Sequence, residues 1–221
     1  MIDVDSLQFS YPGDGFTVTI PRLAVAKGEK LAVVGPSGTG KTTLLNLLSG
    51  IAVPDAGRVT VDGQEIGAMG DGQRRAFRAS RIGFVFQNFA LLDYLTAREN
   101  ILYPYRIGAG LRLDAEARAR AATLAEACGI GDKIDRRPAA LSQGEQQRVA
   151  ICRALITEPA LILADEATGN LDPATKSLIL DLLFARADAA GATLLAVTHD
   201  HELLPRFDRV VDFADFRAVA A

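Results

Sequence analysis

The sequence predicts an α/β fold with a small antiparallel β subdomain and an inserted helical subdomain, and three observations lead there. Short alternating apolar runs crowd the first third of the chain before any long helical pattern. Residues 88 to about 157 then carry helical patterns and no convincing strand. From Leu161 onward strand-like and helix-like stretches alternate again.

Taken in order, Ile2, Val4, Leu7 and Phe9 alternate with polar residues, and the slip at Asp5-Ser6 predicts a bulge. Phe16-Val18-Ile20 alternates cleanly, and Leu23-Val25 leads through Lys27-Gly28-Glu29 to a buried run from Leu31 to Val34. Val59-Val61 before the Asp62-Gly63 turn adds a strand, and so does Ile82 to Phe86. Asp114 suits the N-cap of AEARARAATLAEAC, which Gly129 stops. LILAD begins the second α/β stretch. Asp172-Pro173 reads as N-cap and first turn of a helix to about Ala189, followed by the strands ATLLAVT and RVVDF.

Length and composition narrow the function classes. The 221 residues suffice for a sizeable core, and 49% apolar with 23% charged residues is globular composition. A net charge of −3 argues against a sequence-independent hold on nucleic acid, which needs basic patches. Cys128 and Cys152 lack metal-ligand spacing and sit in Ala/Leu-rich helical patterns, as buried reduced thiols do. No signal peptide is visible at the N-terminus, and no apolar run approaches the ~20 residues that span a bilayer.

The chemistry starts at residues 31–43, LAVVGPSGTGKTT. An apolar run breaks into Gly35-Pro36-Ser37-Gly38-Thr39-Gly40 and continues as Lys41-Thr42-Thr43, the G-x-x-x-x-G-K-[ST] phosphate-binding pattern between a strand and a helix. Glycines let backbone N–H groups turn inward around phosphate oxygens, and the helix start adds unpaired N–H groups and its dipole. Lys41 supplies charge for the β/γ-phosphates and the Thr42 hydroxyl a ligand for Mg²⁺. The chain thus binds a nucleoside triphosphate. In LILADE, residues 161–166, a buried strand ends in two carboxylates. Asp165 is placed to hold Mg²⁺ beside Thr42, and Glu166 to deprotonate an attacking water.

ALSQGEQQRVAICRAL at 140–155, LILADEATGNLD at 161–172 and VTHD at 197–200, following the phosphate loop in this order, resemble an ATP-binding cassette (ABC) ATPase over essentially the whole chain. The resemblance implies a P-loop NTPase core of RecA-like type (residues 1–87 and 158–221, with the β subdomain) and a helical signature subdomain at 88–157. It implies ATP as substrate, Mg²⁺ as cofactor, and a second copy of the chain as partner, with two ATP sandwiched head to tail. LSQGE resembles the family's LSGGQ, with Gln143 in place of Gly and Glu145 in place of Gln, so Ser142 and Gly144 are implied to touch the γ-phosphate held by the other copy. Ser142-x-x-Glu145 is also a capping box, and both roles are compatible. By the same resemblance Tyr11 stacks on adenine, Gln87 contacts Mg²⁺ and the attacking water, and His199 contacts the γ-phosphate and steadies Glu166. Asp172 lies in the loop that crosses the dimer interface.

QNFALLDYLTARENI at 87–101 together with DEATGNLD resembles the stand-alone ATPases of bacterial lipoprotein-release, macrolide-efflux and cell-division complexes, with Asp93 and Ala167 where that branch often has Pro. This implies a transport-coupled ATPase on the cytoplasmic face, docking integral membrane subunits in a groove near residues 88–105. Phe89, Leu91, Leu92, Tyr94 and Leu95 are the expected apolar anchors. The alternative is a non-transport cassette acting on nucleic acid or ribosomes, whose relatives carry coiled coils, zinc modules or two cassettes that this chain lacks. A P-loop kinase or GTPase does not fit the signature or VTHD, and no N-K-x-D is present.

Overall fold

A computed structural model describes residues 1–13, 16–169 and 171–216. Asn170, within the GNLD string, lies outside the described residues. The first strands are β1 (Ile2–Ser10), β2 (Thr17–Val25) and β3 (Lys30–Val34), and α1 (Lys41–Leu48) follows the glycine-rich loop. Next come β4 (Ala56–Val61), β5 (Gln64–Glu65), α2 (Asp71–Arg81) and β6 (Ile82–Phe86). Helices α3 (Ala97–Ile101), α4 (Tyr103–Ile107), α5 (Ala115–Ala127) and α6 (Gln143–Leu155) fill the following stretch. The chain then returns through β7 (Leu161–Asp165), α7 (Pro173–Ala189), β8 (Thr193–Val197) and β9 (Arg209–Asp212).

The strands form two sheets, an antiparallel one ordered β2-β1-β4-β5 and a parallel one ordered β6-β7-β8-β3-β9. Phe16 to Val25, read above as two alternating runs, is one strand from Thr17 whose buried phase flips at Pro21-Arg22, opposite the irregularity in β1. That irregularity is the expected bulge: the β1–β4 register shifts between Asp5 and Gln8, and Ser6 has a φ of 50°. Gly57 faces it at φ +79°, where a Cβ would lie 2.2 Å from the Ser6 carbonyl oxygen. Only glycine fits there.

Alternation in the parallel sheet divides the core into two layers. Leu31, Val33, Leu163 and Leu195 face α1 and the antiparallel sheet, whereas Ala32, Ile162, Ala164 and Leu194 face α6 and α7. A third cluster packs α3, α5 and α6 together and contains both buried free thiols, Cys128 and Cys152. Helix α6 therefore serves two cores, placing Val149 and Cys152 in the helical one and Ile151, Ala154 and Leu155 against the sheet. Asp114 and Asp172 cap α5 and α7 as expected, accepting from Ala117 N (2.9 Å) and Thr175 N (3.1 Å). Helix α2 has no counterpart in the sequence reading, because DGQRRAFRASR offers one buried apolar residue, Phe77, and no apolar stripe.

Close approach of α6 to β6 depends on Gly83, where a Cβ would sit 2.1 Å from the Ala154 carbonyl oxygen. Gly83→Ala is expected to push the helix off the strand and cost about 1–3 kcal/mol. Thermal unfolding checks this, at about 2–4 °C per kcal/mol for a chain of this size. An unchanged midpoint would contradict the tight seating.

Candidate active site

The parallel register aligns the C-terminal ends of three strands: Asp165 of β7 pairs with Val197 of β8, and Val33 of β3 pairs with the same Val197. The loops leaving these ends converge in a crevice, the usual ligand position in open parallel sheets. They are the glycine-rich loop, the Glu166 turn and the Thr198-His199 segment. Gly40 closes the first in a left-handed conformation (φ +104°), and a Cβ there would lie 2.7 Å from Val18 Cγ2. This glycine locks the loop against β2. It leaves the start of α1 without a side-chain cap, so the first N–H groups face an incoming anion.

Lys41 is buried and donates from Nζ to the carbonyl oxygens of Gly35 (2.7 Å) and Pro36 (2.8 Å). Burial lowers its pKa, partly countered by Glu166, Asp165 and Asp212. Thr42 donates from Oγ1 toward Asp165 Oδ2 at 3.4 Å. Asp165 has a raised pKa, first from burial and then from the Glu166 charge. A hydroxyl and a carboxylate so placed, with neighbouring negative charge to neutralise, suit a divalent cation that takes its remaining ligands from phosphate and water. No group of three or more His, Cys, Asp or Glu able to hold a metal occurs among the described residues, so the protein alone forms no cage.

Glu166 diverges from Asp165 by adopting φ 47°, unusual for a residue other than glycine. Its N–H donates to Val197 O (3.0 Å), its carbonyl accepts from Gly169 N (2.9 Å), and its carboxylate lies 2.7 Å from His199 Nε2. Gln87 lines the same cavity as Glu166 and His199, a space of ≈ 470 Å³, and a Cβ on Gly169 would be 3.1 Å from its Nε2. A second cavity of ≈ 420 Å³ shares Glu166 and His199 and reaches Tyr11 past Ser37, Gly38, Gly40, Lys41, Thr42 and Thr43. Tyr11 packs edge-on against Phe9 (centroids 4.8 Å apart) and beside Phe16 (6.4 Å).

Most of the expected site residues thus gather around one crevice, and two stand apart. Gly35, Pro36 and Thr39 belong to the glycine-rich loop without lining either cavity, whereas Ser142 and Gly144 line neither and lie at the start of another element, α6. Ser142 is the N-cap of α6 in a complete capping box with Glu145, whose carboxylate also pairs with Lys133, and Gly144 lies beside Thr175 of α7. The expected apolar anchors divide as well. Phe89 and Leu95 are buried and Leu91 packs on the helical core, while Tyr94 is exposed without lining the apolar groove of ≈ 500 Å³ that runs beside β6. Leu92 alone of the five lines it, with Ala90, Tyr103 and Pro104 from the same stretch.

Two residues of the site escape sequence reading. Phe16 lies beside Tyr11 in the second cavity. Gln147 of α6 is fully buried and donates from Nε2 to Ala167 O at 2.6 Å, holding the turn that follows Glu166, while its Oε1 has no partner. The available signal was a glutamine on the stripe continued by Ile151, Ala154 and Leu155, where an apolar residue belongs.

Comparisons with known proteins agree on one family. Residues 19–169 match the family described as "ABC transporter". The chain is 43% identical over 223 residues to the lipoprotein-releasing system ATP-binding protein LolD of Cereibacter sphaeroides, covering 99% of each. It is 39% identical to the macrolide export ATP-binding/permease protein MacB of Syntrophobacter fumaroxidans, over 97% of this chain and 30% of that one. Among solved structures, the dimeric post-hydrolysis state of the ATP-binding cassette MJ0796 bound to ADP and Pi superposes with a TM-score of 0.84 at 32% identity, covering 96% of this chain and 94% of that one.

The burial of Asp165, with the Glu166 charge beside it, has a stability consequence. A raised carboxyl pKa costs folded-state stability above that pKa, and the cost disappears as pH falls below the ordinary carboxylate value near 3.8. Asp165→Asn is therefore expected to raise the thermal midpoint of the nucleotide-free chain at pH 7, by a margin that solvent screening of the half-exposed carboxylate keeps small. The gain should vanish on acidification toward pH 3.5, as parallel melts of both chains would show; a gain independent of pH would contradict the assignment.

Proposed function

The chain belongs to the ABC transporter family, and we propose that two copies of it drive separate membrane subunits of the lipoprotein-releasing kind by hydrolysing ATP. That the chain is an ATP-binding, ATP-hydrolysing subunit follows from the family. The assignment of roles to residues is ours, and the observation that carries it is the 2.7 Å contact of His199 with Glu166 beside the phosphate loop. Lipoprotein release as the process rests on relatives 43–46% identical over 95–99% of this chain.

The phosphate loop, Gly35 to Thr43, wraps the β- and γ-phosphates with backbone N–H groups, while Lys41 neutralises their charge. Tyr11 offers its ring to the adenine. Thr42, Asp165 and Gln87 would hold Mg²⁺, which when bound supplies charge neutralisation across the phosphate oxygens. Glu166 takes a proton from a water oriented by Gln87. The water oxygen bonds to the γ-phosphorus as the bond to the bridging oxygen breaks, leaving ADP and inorganic phosphate. His199 fixes the Glu166 carboxylate and reaches the γ-phosphate. Ser142 and Gly144, remote from the crevice of their own chain, complete the site of the second copy across the ATP, and the Asp172 loop crosses the interface. The dimeric state of the MJ0796 cassette supports this arrangement.

Among the described residues no helix is long and apolar enough to cross a membrane. The membrane subunits, separate chains by analogy with the stand-alone ATP-binding relatives, would seat in the apolar groove beside β6 that includes Leu92, Tyr103 and Pro104. This chain would work on the cytoplasmic face. The rival reading, a cassette acting on nucleic acid or ribosomes, finds no support in the relatives.

Glu166→Gln is expected to lower steady-state ATP hydrolysis by about 10²-fold or more while ATP binding persists, since loss of a general base costs on that order. Size-exclusion chromatography with Mg-ATP should show the variant as a dimer. Hydrolysis at the unsubstituted rate would refute the role of Glu166, and a persistently monomeric variant would refute the sandwich.

A further inference from the structure

The groove beside β6 has a charge pattern that specifies its occupant further. It occupies ≈ 500 Å³ along the edge strand of the parallel sheet, between α2, α4 and α6. Phe84 and Phe86 stack there with centroids 5.1 Å apart, and Ile107, two-thirds exposed, stands at its side. Among the described residues, the only charged ones lining it are three arginines, Arg75, Arg78 and Arg153.

These three cations are not equivalent. Arg75 is paired with Asp71 at 2.6 Å. Arg78 has no carboxylate within ion-pair distance among the described residues, and its Nη1 donates to Ser49 O at 3.2 Å. Arg153 has none either, and its guanidinium donates to the carbonyl oxygens of Phe89 (2.7 Å) and Ala90. Guanidinium groups are cations at neutral pH; burial lowers the pKa of both, that of Arg153 only to about 10. A purely apolar helix laid over them would strip their water and return nothing for it. A carboxylate on the same helix offsets that cost and fixes register, because guanidinium and carboxylate match in geometry.

We propose that this groove selects an amphipathic helix of the membrane subunit whose groove-facing side carries an Asp or Glu that pairs with Arg78 and Arg153. The inference rests on the reading above that the groove seats a membrane subunit, and it adds the chemistry by which a fitting partner is told from others of similar shape.

The test uses the tagged full chain purified from detergent-solubilised host membranes with Mg-ATP, as unsubstituted protein and as Arg78→Lys and Arg78→Glu. Among the described residues no lysine lines the groove, so a water-soluble carbodiimide, which joins amines to carboxylates in direct contact, finds no amine of these residues there in the unsubstituted chain. Arg78→Lys is expected to retain the membrane subunit and to yield an amide cross-link from position 78 to one of its Asp or Glu residues, located by mass spectrometry. Arg78→Glu is expected to recover about tenfold less membrane subunit, the equivalent of about 1.4 kcal/mol. An intact Arg78→Lys complex without a cross-link at that position overturns the proposal, as does recovery of the membrane subunit with Arg78→Glu at the unsubstituted yield. Absence of any membrane subunit from the unsubstituted preparation overturns instead the docking reading on which the proposal stands.

Discussion

Two carboxylates in succession at the end of a buried strand repel each other, and the site is arranged around keeping them apart. Asp165 remains in line with β7 and meets the Thr42 hydroxyl, whereas Glu166 swings through a left-handed backbone conformation to His199. The strain of that turn is held by three hydrogen bonds, one within the turn and two to other elements: Gly169 N to Glu166 O, Glu166 N to Val197 O, and Gln147 Nε2 to Ala167 O. Separation gives adjacent acids different surroundings, one beside the Thr42 hydroxyl and the other against the His199 imidazole.

Helix α6 connects this arrangement to the rest of the molecule. It begins at its N-cap Ser142, its second turn carries the Gln147 that grips the Glu166 turn, and its last turn the Arg153 that clamps Phe89 and Ala90, just beyond Gln87. Phe89 and Ala90 both have positive φ, so this clamp too holds a costly backbone conformation. One rigid element of 13 residues therefore touches the segments bearing both Gln87 and Glu166 while presenting the signature at its far end.

The sequence was most informative where backbone chemistry is local. Glycines, prolines and caps at Gly40, Asp114, Asp172-Pro173 and Gly129 mark their elements because each acts within a turn of its own position. The acidic end of β7 and the phosphate loop were equally legible, since each is a contiguous string. What stayed hidden depends on distant packing. Helix α2 shows one buried apolar side chain, Gln147 pairs with a residue twenty positions away, and the groove draws on four elements. The five apolar residues after Gln87 read as one cluster, and sequence could not divide those entering the core from the one left in the groove.

The double allegiance of α6 bears on how the chain is assembled. A fragment limited to residues 88–157 would carry Ile151, Ala154 and Leu155 with nothing to cover them, and a core lacking that fragment would expose Val85 and Ile162. Neither part is a closed module, although the sequence alternates between them as if it were. Excision, domain grafting or separate expression of the helical segment would leave both pieces adhesive, and cooperative unfolding of the two is built into the shared helix.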